Sequence, residues 1–187
     1  MKKLLIIGLL LTSTTMFGCG STSTTTTSSN SDVETSESKK EKVYLNAGDV
    51  YTATDERGTY EFKVTEAKFL GVHDGDDQQN LRLQVIWEIN NISFAGKSTD
   101  ESGNELKDVV AVYPQDLKVK DDNNYVLDNM NSGWEGDWIN SYKPVKVGEK
   151  MIQKYTWILN DENAEYVTVS YPRMQEENIE FKINIDR

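Results

Sequence analysis

The sequence predicts an all-β domain, an antiparallel sandwich of seven to nine short strands. Three observations carry that expectation. Apolar side chains after residue 43 recur with period two. Turn-forming Gly, Asn and Asp clusters punctuate the apolar segments at short intervals. The chain of 187 residues holds only three Pro, yet four Trp, nine Tyr and five Phe, and 37% of it is hydrophobic, enough to build one core.

The elements follow in order. Val50 to Thr54 comes after an Ala47-Gly48-Asp49 turn. Tyr60, Phe62 and Val64 alternate with Glu61 and Lys63, and the apolar phase then moves to Ala67 and Phe69. Such a shift inside one strand predicts a β-bulge near Thr65–Glu66. Leu81 to Asn90 places every odd residue apolar, with Trp87 on the core side. Residues 102–113 admit two readings. Ser102-Gly103-Asn104-Glu105 has capping-box spacing and predicts a short helix near 103–113, stopped by Pro114; the competing reading is a buried strand over Val109–Tyr113. Leu117 and Val119 alternate with Lys118 and Lys120. Tyr125 to Leu127 follows an Asp121-Asp122-Asn123-Asn124 turn. Met151 to Leu159, with Trp157 read as core, Tyr166 to Tyr171 and Ile179 to Ile185 complete the set.

Three of these segments together resemble an immunoglobulin-like domain, without assigned activity, of Gram-positive bacterial surface lipoproteins. They are Val85-Ile86-Trp87-Glu88-Ile89-Asn90-Asn91, the strand from Asp116 into Asp121-Asp122-Asn123, and Val147-Gly148-Glu149-Lys150 opening the strand to Leu159. The resemblance covers about residues 43–187 and implies an immunoglobulin-like sandwich. It brings no catalytic residues, and fold alone does not assign function.

The N-terminus reads as an address. Lys2 and Lys3 precede the apolar run Leu4 to Leu11, which is too short for a helix crossing a ~30 Å hydrocarbon core and fits a secretory signal. The only cysteine, Cys19, follows Gly18 where such a signal would be cut. This resembles a bacterial lipoprotein signal, which implies a diacylglycerol on Cys19, cleavage before it, and a membrane partner reached through lipid. Residues 1–18 are then the signal. Residues 19–42 are the lipidated Cys and a tether: thirteen of the 23 residues from Gly20 to Lys42 are Ser or Thr, a composition that stays disordered. Residues 43–187 are the domain. The signal holds two lysines, and the tether three lysines and four acids, so the chain's −11 leaves −12 on residues 43–187.

Composition narrows the chemistry. Strong acidity excludes a nucleic-acid partner, and one cysteine excludes a disulfide framework or multi-cysteine metal centre. The only histidine, His73, lies in an acidic turn with no nucleophile candidate beside it. No nucleotide-binding loop or zinc-protease motif is present, and no cofactor is implied. Asp74, Asp76, Asp77, Asp121 and Asp122 are weak calcium candidates, since neither run has the calcium-loop glycine spacing and acids are also common turn formers. The sharpest candidate site is the Gly-broken segment 129–142, which sets Trp134, Trp138 and Tyr142 beside Glu135 and Asp137, a grouping suited to a sugar or a partner's side chains. The alternative there is aromatics folded back over the end of the sandwich. The expected function is a non-enzymatic, lipid-anchored extracytoplasmic module binding an envelope protein or glycan. A cation or small-ligand sensor comes second, and an envelope hydrolase last.

Overall fold

A computed structural model of the chain describes residues 41–72, 80–100, 102–130 and 142–187. Eleven strands occur among them. The first four are β1 (Val43–Leu45), β2 (Tyr51–Asp55), β3 (Gly58–Val72) and β4 (Leu81–Asn91). A hairpin of β5 (Gly96–Thr99) and β6 (Glu105–Val110) follows, then a 3-10 turn (Pro114–Asp116), β7 (Lys118–Asp121) and β8 (Val145–Lys146). The chain closes with β9 (Lys150–Leu159), β10 (Tyr166–Ser170), helix α1 (Pro172–Glu176) and β11 (Ile179–Asp186).

Eight strands are hydrogen-bonded in the order β7-β10-β11-β3-β4-β9, with β1 on β11 and β2 on β3; β5-β6-β8 form a separate small sheet. The eight make two layers because β11 changes partners along its length. Its first half lies between β10 and β1, while Ile185 and Asp186 pair with Ala67 and Lys68 of β3. The layers meet in one core, where the Phe62 and Phe181 rings are 5.7 Å apart, edge to face. An all-β sandwich is therefore the fold. Two pairings, β1–β11 and β11–β3, are parallel rather than antiparallel. None of the three strands is a hairpin neighbour of the other, so no tight turn imposes opposed directions.

The period-two reading describes the core well. Leu83, Val85, Trp87 and Ile89 of β4 are fully buried, and so are Val167, Val169 and Phe181 across the sandwich. Trp87 and Trp157 are both core, 6.3 Å apart edge to face. Their layer has one polar insertion. Gln153 is buried among apolar β9 residues because its Oε1 accepts the indole N–H of Trp87 at 2.9 Å and its amide donates to the Lys143 carbonyl. The bulge falls where the phase shift put it: Val64 faces Trp87 but Glu66 faces Ile86, leaving Thr65 extra. The Thr65 hydroxyl donates to the Ile86 carbonyl.

Other expectations need correcting. No helix forms near 103–113. Residues 105–110 are a strand, with Val109 and Val110 buried, so the strand reading is the better of the two, set a few residues earlier. The capping-box residues are instead a hairpin turn. The Asp100 carboxylate accepts the amides of Ser102 and Asn104, and Gly103 is left-handed at φ +83°. Asp108, at φ +56°, is a bulge residue that breaks helical backbone. Tyr125 to Leu127 is a single bridge, Lys120 to Val126, rather than a strand, with Tyr125 and Val126 exposed. The three strands that alternation does not predict, β1, β5 and β8, are two to four residues long, too short to display a period.

Two residues fix the end of the sandwich that carries the cleft described below. Asn91 is fully buried; its amide donates to the carbonyls of Phe94 and Val145, and its oxygen accepts the Phe94 N–H at 2.8 Å. Gly58 closes the two-residue β2–β3 turn at φ +122°, and a Cβ there would lie 2.3 Å from the Ser93 carbonyl oxygen. Only glycine fits.

Candidate binding cleft

At this end, four stretches of chain enclose a cleft of about 600 Å³. The β2–β3 turn contributes Asp55, Arg57 and Tyr60. The turn after β4 contributes Phe94, the 3-10 turn Tyr113 and Asp116, and the start of α1 Tyr171 and Arg173. The β6 residues Val109 and Val110 line it as well.

Its floor is aromatic. The Tyr60 and Phe94 rings meet edge to face at 5.2 Å, and the Arg57 guanidinium covers Phe94 at 4.6 Å from the ring centre. The charges above are interlocked. Asp55 pairs with Arg57 at 2.7 Å and with Arg173 at 3.2 Å. Arg173 also donates to the Thr54 carbonyl and pairs with Glu177 at 3.7 Å. The side-chain and backbone donors of Arg57 hold the Asp55 carboxyl below its ordinary range. Tyrosines behave oppositely. Burial, then the Glu177 carboxylate, pushes Tyr51 up to about 12. Burial raises Tyr60 further, and burial with the Asp116 charge raises Tyr171. All three phenols stay neutral at physiological pH and can donate hydrogen bonds. The Tyr51 hydroxyl is buried close to Glu177 and Arg173 but makes no hydrogen bond of good geometry to either.

The cleft can therefore stack, donate from neutral phenols and pair charge of either sign. Local sequence motifs do not show it, because its residues run from Asp55 to Glu177. Tyr60 and Tyr171 registered only as apolar positions in strands, and Arg57 and Arg173 not at all.

The sequence-predicted site residues fare unevenly. Cys19, His73, Asp74, Asp76, Asp77, Trp134, Glu135, Asp137 and Trp138 lie outside the described residues. Tyr142 is described. It is 39% exposed and packs edge to face between Tyr113 and Tyr155, at 5.8 and 6.0 Å. The contacts continue through Tyr155 to Trp157 and Trp87, so the Tyr142 ring is the outer end of a ladder reaching the core. Beside it, Leu106, Tyr113, Tyr142 and Pro144 line a second groove of about 680 Å³. It is slightly larger than the cleft, but no ion pair lines it among the described residues.

Asp121 and Asp122 act as turn formers. Asp121 Oδ1 accepts the Tyr125 amide and Asp122 Oδ2 the Glu165 amide, both at 2.9 Å. The other oxygen of each is buried without a partner among the described residues. No three His, Cys, Asp or Glu side chains gather to hold a metal ion among the described residues. No helix there is long and apolar enough to cross a membrane.

With this geometry in hand, comparison with known proteins places the fold. MPT63, a secreted protein from Mycobacterium tuberculosis, superposes with a TM-score of 0.51 at 14% identity, over 76% of this chain and 98% of that one. The YjhA protein of Bacillus subtilis gives a TM-score of 0.42 at 15% identity, over 75% and 98%. No protein-family model matches the chain, and no curated protein matches it in sequence.

Proposed function

We propose that this chain is a lipid-anchored extracytoplasmic binding protein, not an enzyme, and that the cleft between the β2–β3 turn and α1 holds its ligand. The observation that carries the reading is the cleft itself: an aromatic floor under paired arginines and carboxylates, assembled from four separate elements. Such a lining suits an envelope peptide or glycan that offers one flat face and one charged group. The anchor part rests on the signal-like N-terminus, the Cys19 position and the Ser/Thr-rich tether. A secreted mycobacterial protein of similar fold is consistent with an extracytoplasmic address. The segment holding Trp134, Glu135, Asp137, Trp138 and Tyr142 is the competing contact surface.

Two variants test the proposal. Cys19→Ser should move the protein from the membrane fraction to the medium; retention on the membrane would sink the anchor. Arg57→Ala should weaken capture of an envelope peptide or glycan fraction at least tenfold while the fold persists. Unchanged capture by Arg57→Ala, with loss in Trp134→Ala/Trp138→Ala, would move the site to the aromatic segment.

A further inference from the structure

We infer that the outer face of the β1–β11–β10–β7 layer docks on an anionic lipid bilayer. The choice of partner rests on the lipid-anchor reading above; the face itself rests on strand register and charge. Lys118 lies across from Ser170, and Lys120, Thr168 and Lys182 form one row. Their odd-numbered neighbours Val119, Val169 and Phe181 are buried in the sandwich, so the even-numbered side chains project from the opposite face; there Lys118 and Lys182 are exposed, while Thr168, Ser170 and Glu180 are buried and Lys120 nearly so. Tyr44 shares that face, in register with Glu180. Lys42 and Lys120 both reach the same Glu180 oxygen, at 3.1 and 3.2 Å, and Lys182 lies over the Tyr166 ring at 3.8 Å. This face thus holds four lysines, Lys42, Lys118, Lys120 and Lys182, and two of them, Lys42 and Lys120, pair with its one buried carboxylate, Glu180. Asp186, the other acid at an even position in these strands, lies at the far end, in register with Lys68 of β3. Glu176 and Glu177 line the cleft.

This face is therefore net positive on a domain that carries −12 over residues 43–187. An anionic surface repels most of such a domain and attracts this face. Its aromatic and apolar content suits the headgroup region: Val43 and Tyr44 are half exposed at the point where the chain joins the sheet, beside the lysines. A tether holds the domain at high effective concentration over the bilayer, so a face too weak to bind from solution can still set orientation.

The test uses the protein purified from membranes and placed in vesicles of neutral phosphatidylcholine, or of phosphatidylcholine with phosphatidylglycerol. A water-soluble amine reagent then labels exposed lysines, read by mass spectrometry. Labelling of Lys42, Lys118 and Lys182 should fall at least threefold on the anionic vesicles and recover in high salt, while Lys107 and Lys146 of the small sheet stay unchanged. Lys118→Glu/Lys182→Glu should abolish the protection of Lys42, and Lys107→Glu/Lys146→Glu, with the same charge change, should keep it. Equal labelling on both vesicle types overturns the inference, as does protection by soluble polyphosphate but not by vesicles. The intact mass reports separately whether Cys19 carries acyl chains. An unlipidated product is held on the same vesicles, with a nickel-chelating lipid added, through a histidine tag at its N-terminus, so the anchor and the face can fail independently.

Discussion

The β4–β9 core and the cleft use the same aromatic side chains under different rules. In the core, Trp87, Tyr155 and Trp157 come from two paired strands at alternate positions, all buried and touching edge to face. In the cleft, Tyr60, Phe94, Tyr113 and Tyr171 come from four separate stretches, and Tyr113 and Tyr171 stay half exposed. Charge is absent from the first cluster and interlocked above the second. Burial alone accounts for the core rings. Of the cleft rings, Tyr60 and Phe94 are as buried as the core, whereas Tyr113 and Tyr171 stay partly exposed beside the ion pairs, and it is this exposed half on which the binding proposal rests.

The largest expected losses fall in the core. Trp87→Ala removes a fully buried ring and orphans the Gln153 oxygen, and should cost about 3–5 kcal/mol by urea denaturation. Asn91→Ala strips a hydrogen-bond partner from three backbone groups and should cost about 2–3 kcal/mol. It should also loosen the turn that carries Phe94. Arg57 lies the other way: its side chain is 58% exposed, so Arg57→Ala should change stability by less than about 0.5 kcal/mol while lowering ligand capture at least tenfold.

Smaller effects sharpen the electrostatics. Burial pushes the Glu180 carboxyl up, but the hydrogen bonds and charges of Lys42 and Lys120 outweigh it and hold the group below its ordinary range. Its stabilising contribution is therefore present above the ordinary glutamate range and fades as pH falls through the depressed value. Glu180→Gln should lower the urea midpoint at neutral pH, with the gap to wild type closing in acid. The smallest effect belongs to Tyr51. Its hydroxyl makes no hydrogen bond of good geometry to the nearby Glu177 and Arg173, so Tyr51→Phe should shift stability by under about 0.5 kcal/mol near neutral pH. Because its pKa is raised from 10.0 to about 12, the folded state favours the neutral phenol. That preference is lost as pH rises through this window, so the variant should show a shallower alkaline decline.

The sandwich was readable because burial on one face of a strand writes a period into adjacent residues. β4, β9 and β11 lie within about a residue of where alternation puts them, and the Thr65 bulge follows from a visible phase change. The β5–β6 hairpin misled because Ser102 to Glu105 satisfies a helix cap and a tight turn equally well; Asp100, two residues upstream, decides between them by taking the turn amides. The cleft left no local trace. Asp55 meets Arg173 only after the chain has crossed the sandwich several times, and no spacing rule joins residues 118 positions apart. The basic outer face was equally hidden, since its lysines belong to two strands far apart in sequence and to the tether.

Hydrogen exchange of the protein with and without an envelope peptide or glycan fraction distinguishes the cleft from every other surface. Ligand in the cleft should slow exchange at the backbone amides around Asp55–Tyr60, Phe94–Lys97 and Tyr171–Arg173, with the β4–β9 core unchanged. Protection confined to residues 131–142, leaving those three segments untouched, would contradict it.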